Sequence, residues 1–189
     1  MEVKNVSFSY GEKDVIKNLS FSLSNGRHIA VMGESGRGKT TLMRLLLGLI
    51  EPTEGEILRG VGERPSVVFQ EDRLLPWFTA ERNVSEVWDR ANCPASPSEL
   101  LDEMELSDAK GTLPKELSGG MQRRVAIARA LAYGGDPLLL DEPFKGLDTE
   151  LRERIAKRVL ERAGNASILL VTHDEREAEL MECDEIFRL

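Results

Sequence analysis

The stretch GESGRGKT, Gly33 to Thr40, fits the pattern G-x-x-x-x-G-K-[ST] and lies between a short apolar run, HIAVM, and a leucine-rich run with helical spacing. In that context glycines let successive backbone N–H groups curl around a phosphate, and the N-terminus of the following helix adds partial positive charge at the same point. Gly33, Glu34, Ser35, Gly36, Arg37, Gly38, Lys39, Thr40 and Thr41 are therefore the expected phosphate-binding residues of an ATP site. Lys39 is expected to reach the β- and γ-phosphates, and the Thr40 hydroxyl to serve Mg²⁺. The run LLLDEP puts Asp141 at the end of a buried strand, where a parallel sheet offers its carboxyl edge to ligands. Asp141 would hold the metal, directly or through water. Glu142 would orient or deprotonate a water. Gln70 closes the strand SVVFQ, where its amide can reach Mg²⁺ or the attacking water, although a polar residue closing a strand is a common event. His173, after LLVT, ends another buried strand on the same edge, within reach of a γ-phosphate oxygen. The candidate catalytic set is Glu142, His173, Gln70 and Lys39; the candidate metal set is Thr40, Gln70 and Asp141. Tyr10 precedes Gly11 at a strand end, and the pattern allows its ring either to stack on adenine or to cover the core.

A second loop of the same character follows far downstream. In ELSGGMQRR, Ser118 can cap the helix GGMQRRVAIARALA, with Gly119 and Gly120 leaving the first amides open. A capped helix with an apolar stripe at Met121, Val125, Ala128 and Leu131 is the plain reading. One triphosphate already has its loop, its lysine and its metal ligands, so a second anion-seeking terminus is hard to use on the same face of the same nucleotide.

These groups need a scaffold, and the hydrophobic pattern supplies one. EVKNVSFSY and VIKNLSFSL alternate apolar and polar residues around a Gly11 turn, as an antiparallel pair of half-buried strands does. HIAVMG, SVVFQ, PLLLDEP and SILLVTH are continuous apolar runs, as in strands buried on both faces. GEILRG and EIFRL are further strands. A helix is expected from Lys39 through Leu42, Leu45, Leu46 and Leu49, ending at Pro52. Strand signals vanish between about 71 and 116, where TAERNVSEVWDRA, capped by Thr79, and SPSELLDEMEL, with Ser96, Pro97 and Glu99 as an N-terminal signature, predict helices. The expected fold is α/β: a P-loop NTPase core with a parallel sheet, an N-terminal antiparallel β-subdomain and a small helical insertion at about 71–116, all in one domain over 1–189.

The chain has 189 residues with 41% hydrophobic and 31% charged, enough for one well-cored domain, and no disorder class fits. A net charge of -8 argues against a general nucleic-acid-binding surface. The N-terminus has no signal pattern. The most apolar segment, TLMRLLLGLI, is interrupted by Arg44 and is shorter than the roughly 20 residues of a membrane helix. No membrane span is expected. Cys93 and Cys183 lack metal-type spacing and are expected as reduced thiols in a cytosolic protein.

The ordered blocks GESGRGKT, VFQ, LSGGMQRR, LLLDEP, GLD and VTHD, from Tyr10 to His173, resemble the nucleotide-binding subunit of an ATP-binding-cassette (ABC) transporter. The resemblance implies that two cassettes sandwich two ATP molecules head to tail, the partner being a second copy or a related cassette. Tyr10 then stacks on adenine, Ser35 to Thr41 grip phosphate and Mg²⁺, and Ser118, Gly119 and Gly120 bind the γ-phosphate of the nucleotide held by the other subunit. Asp141 serves the metal, Glu142 is the catalytic base, Asp148 signals across the dimer, and His173 is the γ-phosphate switch. Gln70 links the site to integral membrane permease subunits, and a solute-binding protein takes part indirectly. The implied location is cytoplasmic, peripheral on the inner face of the cell membrane. VFQEDRLLPWFTAERNV and DEPFKGLD are similar to segments of bacterial importer ATPases of the nitrate, sulfonate and taurine group. Met121 stands where that signature usually has Gln, the stretch from Lys39 to Gln70 is shorter than usual, and no regulatory extension is expected after His173. The alternatives are a soluble non-transport ABC ATPase acting on nucleic acid or ribosomes, and a nucleotide-sensing regulatory module. The first lacks its expected coiled coil or second cassette; intact Glu142 and His173 oppose the second.

Overall fold

The structure is a computed structural model that describes residues 1–24, 26–34 and 36–189. Two sheets carry it. The strands β1 (Glu2–Tyr10), β2 (Lys13–Ser22) and β4 (Glu54–Leu58) form an antiparallel sheet in the order β2-β1-β4. The strands β3 (His28–Met32), β5 (Ser66–Val68), β6 (Leu138–Asp141), β7 (Ile168–Thr172) and β8 (Glu185–Arg188) form a parallel sheet in the order β5-β6-β7-β3-β8. All parallel strands therefore end on one edge, and the strands bearing Asp141 and His173 are neighbours.

Alternation along the parallel strands divides the core. Ile29, Val31, Leu139, Leu169 and Val171 face the antiparallel sheet and the helix α1 (Lys39–Leu46), where they meet Leu42, Leu45, Leu46, Val6 and Ile16. Ala30, Leu138, Leu140, Ile168 and Leu170 face the other way, toward α4 (Gly119–Tyr133), α5 (Thr149–Ala163) and α6 (Glu175–Leu180). The short helices α2 (Ala80–Ser85) and α3 (Pro97–Glu103) pack on α4. Period-two burial on both faces is what the unbroken apolar runs require. Thr79 caps α2 by accepting from the Arg82 N–H, and Ser96 and Glu99 form a complete capping box on α3.

The helices α1 and α2 stop well short of their patterns. The helix α1 stops at Leu46, not at Pro52, and Leu49 is 62% exposed. Gly48 turns into the left-handed region (φ 68°), and the Arg59 guanidinium, arriving from beyond β4, donates to the Leu45 and Leu46 carbonyls. A cation on the last carbonyls completes a helix C-terminus, so the end is set by a residue distant in sequence. The helix α2 ends at Ser85; Trp88 beyond it donates its indole N–H to the Cys93 carbonyl, and Asp89 accepts from Arg64 and Asn92.

Cys93 and Cys183 are free thiols, and burial pushes Cys183 up to about 12. Among the described residues no helix is long and apolar enough to cross a membrane.

Candidate active site

The turn from β3 into α1 builds the first wall. Gly36 (φ 83°) and Gly38 (φ 102°) hold left-handed backbone that glycine adopts freely. At Gly38 a Cβ would stand 2.7 Å from Val15 Cγ1, so only glycine lets the loop lie this close to β2. Gly38 is the N-cap of α1 and gives no side-chain cap, which leaves the first amides of the helix open. Lys39 folds back over its own loop. Its ammonium donates to the Gly33 carbonyl (2.6 Å) and the Glu34 carbonyl (3.0 Å), and the residue is 8% exposed. Ser35 lies outside the described residues.

Beside this turn is a cleft of about 240 Å³, lined by Tyr10, Lys13, Val15, Gly36, Gly38, Lys39, Thr40, Thr41, Gln70, Asp141 and Glu142. Asp141 ends β6 at 4% exposure. Burial, and secondarily the Glu142 charge, push its carboxyl up to about 6, with Lys39 pulling in the opposite direction. Glu142 continues the pairing to β7, its N–H donating to the Val171 carbonyl at 2.8 Å, yet its own φ is 48°. A non-glycine residue held in left-handed backbone costs on the order of 1 kcal/mol. The bend aims the Glu142 carboxylate along the sheet edge, 3.7 Å from His173 Nδ1 and 3.6 Å from Lys145 Nζ. The His173 ring is exposed, on a turn braced from behind: the Thr172 hydroxyl donates to Glu177 (2.5 Å) and accepts from the Asp174 N–H, while Arg152 reaches Asp174 at 2.7 Å. Burial raises the Glu177 carboxyl.

Gln70 enters the cleft from two residues beyond β5, and its backbone is held by Arg123 of α4. Tyr10 lines the cleft while its ring packs edge-on to Phe8 at 4.8 Å. Lys13 and Val15 of β2 are lining residues that motif spacing does not reveal; the hairpin pairing of Tyr10 with Lys13 brings them in. Gly33, Glu34 and Arg37 do not line the cleft. A Cβ at Gly33 would stand 3.2 Å from the Leu189 carbonyl oxygen, and Glu34 pairs with Arg37 at the surface at 3.7 Å.

The structure does not bring Ser118, Gly119 and Gly120 to this cleft. Ser118 caps α4, its hydroxyl accepting from the Met121 N–H at 3.2 Å. The two glycines differ: a Cβ at Gly119 would meet nothing within 4 Å, whereas one at Gly120 would press on the Gly146 carbonyl (3.2 Å) and Leu147 (3.3 Å). Asp148 caps α5 by accepting from the Leu151 N–H at 2.9 Å.

Open helix amides and a lysine beside a cleft suit a polyphosphate. A buried carboxyl pushed toward neutrality beside Thr40 and Gln70 suits a hard cation with oxygen ligands. Among the described residues no three His, Cys, Asp or Glu side chains gather for a metal, so a cation here would share its shell with hydroxyl, amide and phosphate oxygens.

A family model described as ABC transporter matches residues 16–145. The chain is 43% identical over 180 residues to the aliphatic sulfonates import ATP-binding protein SsuB 3 of Paraburkholderia xenovorans (strain LB400), covering 94% of this chain and 72% of that one. It is 40% identical over 182 residues to SsuB 1 of Shouchella clausii (strain KSM-K16), with the same coverage. Among solved structures, an ATP-binding subunit of an ABC transporter superposes with a TM-score of 0.87 at 28% identity, over 100% of this chain and 85% of that one. The ATP-binding cassette MJ0796, as a post-hydrolysis dimer bound to ADP and Pi, gives 0.83 at 30% identity, over 100% and 93%.

Proposed function

The chain belongs to the ABC transporter family, and on that premise we propose that it is the ATP-hydrolysing motor subunit of an importer. The observation that carries this reading is the single cleft shared by Lys39, Thr40, Gln70, Asp141 and Glu142, with His173 beside Glu142. We take 1–189 as one ATP-binding domain with a helical subdomain inserted at about 71–116.

In this reading Tyr10 stacks on the base, and the 33–41 turn receives the phosphates. Lys39 leaves the Gly33 and Glu34 carbonyls for phosphate oxygens, exchanging neutral acceptors for charged ones that bond it more strongly. Thr40, Asp141 and Gln70 would hold Mg²⁺, which when bound neutralises charge developing on the phosphate oxygens. Glu142 accepts the proton of the attacking water. His173 donates to a γ-phosphate oxygen and keeps the Glu142 carboxylate oriented.

Ser118 and Gly119 lie outside the lining of the cleft, at the N-terminal end of a fifteen-residue helix, where a Cβ at Gly119 would meet nothing within 4 Å. Such a terminus completes the site of a second cassette, and a head-to-tail dimer uses both ends twice. Membrane permease subunits dock on the 71–116 region, where Trp77 is 69% exposed, and a solute-binding protein delivers the cargo. The chain then sits on the cytoplasmic face of the membrane. The names of its relatives make an aliphatic sulfonate the first solute to test.

The test is reconstitution of this chain with its permease in vesicles and measurement of ATP-driven uptake of an alkanesulfonate, with phosphate release followed in parallel. Hydrolysis with uptake is expected. Phosphate release that never rises above a permease-only control would sink the motor reading.

A further inference from the structure

We propose that Arg123 is a positioning residue for Gln70: from the helix that carries Ser118–Gly120, it sets where the Gln70 side chain stands in the nucleotide cleft. The inference rests on the reading of that cleft as an ATP site. Arg123 is 4% exposed, and its guanidinium donates to the Phe69 carbonyl at 2.6 Å and to the Gln70 carbonyl, while its Nε lies 3.1 Å from an Asp72 carboxylate oxygen. A buried guanidinium persists only where its charge and donors are met, and here these partners come from one short stretch of backbone. That stretch has left the sheet, since β5 ends at Val68.

Further along the same helix, Arg129 donates to the Asp72 carbonyl (2.8 Å) and the Arg73 carbonyl (2.8 Å). Arg73 closes the turn by laying its guanidinium over the Phe69 ring, 4.1 Å from the centroid. The 69–73 segment is thus fastened to α4, whereas Asp141 ends β6 and Glu142 follows it. A displacement of the first turn of α4, as when Ser118 engages an anion, carries Gln70 relative to Asp141. Two carbonyls bonded at once, with the Asp72 carboxylate beside the same head, call for the planar fork of arginine; a lysine ammonium in its place is a single point charge.

The experiment compares the full chain with Arg123→Lys and with Arg123→Met made together with Asp72→Asn, so that no carboxylate is left buried and unpaired. Amide hydrogen exchange, the ATP dissociation constant, kcat and KM are measured, each variant also in a Gln70→Ala background. Expected results are faster exchange across 69–73 with the 33–41 turn unchanged, ATP affinity within about 2-fold of the parent, and kcat lowered about 10-fold at unchanged KM. In the Gln70→Ala background, loss of Arg123 should lower kcat no further. Unchanged exchange at 69–73, parental kcat in folded variants, or losses that multiply in the Gln70→Ala background would each overturn the proposal. A permease-reconstituted parent that hydrolyses no ATP would instead refute the motor reading, and the exchange measurement would still decide whether Arg123 holds Gln70.

Discussion

At Asp141, burial and the neighbouring Glu142 hold the carboxyl up at about 6 against an ordinary value of 3.8. Between those two values the folded chain binds more protons than the unfolded one, so this group's contribution to stability falls as pH rises through the window. The full effect is on the order of 3 kcal/mol. An arriving cation needs the ionised form and offsets that loss. The rise in melting temperature caused by Mg·ATP should therefore be larger at about pH 7.5 than at about pH 5.5. Equal shifts in a thermal scan at the two pH values would remove Asp141 from the metal shell. Glu142 is a separate matter, because its strained φ and its place 3.7 Å from His173 serve orientation of the carboxylate. Glu142→Gln keeps shape and removes the proton acceptor. Phosphate release should fall at least about 100-fold while ATP binding by equilibrium titration stays near the parent value. A parental rate would move the base elsewhere.

At the scale of elements, α4 separates two glycines that look alike in sequence. A Cβ at Gly120 would crowd the Gly146 carbonyl at 3.2 Å within one chain, while one at Gly119 would meet open space. Gly119→Ala should leave the thermal midpoint unchanged or slightly raised, because alanine is the better helix former. Ser118→Arg should leave each monomer able to bind ATP and should abolish hydrolysis by blocking the helix terminus. Loss of ATP binding by the Ser118→Arg monomer, in a titration at low protein concentration, would return this loop to the site of its own chain.

Across the whole molecule, the parallel sheet is a septum between two apolar layers, and the cleft opens where its strands end. Phe144 is fully buried just past Asp141 and Glu142 and fills the helical layer. Phe144→Ala should cost about 3–5 kcal/mol in denaturant unfolding, a large part of the stability of a domain this size. The same variant should weaken Mg·ATP binding, since Phe144 anchors the chain two residues after Glu142. A loss under 1 kcal/mol would show that the layer recloses around the gap.

The sequence by itself determined the features that depend on short-range pattern. Apolar runs of four or five residues specified strands buried on both faces, Ser96 and Glu99 specified the start of α3, and the spacing from Gly33 to Lys39 specified a strand–turn–helix that leaves amides open. Pattern reports local backbone preference and which side is buried. Tertiary structure alone decided the rest, because those contacts join segments far apart in the chain. Arg59 ends α1, Lys13 and Val15 enter the cleft through hairpin pairing, Glu142 bends against β7, and Arg123 holds Gln70. Tertiary structure also left Ser118 outside the lining of its own chain's cleft, with its hydroxyl on the Met121 N–H. A fifteen-residue helix whose flank buries Val125, Ala128 and Ala132 must present its N-terminus where packing aims it.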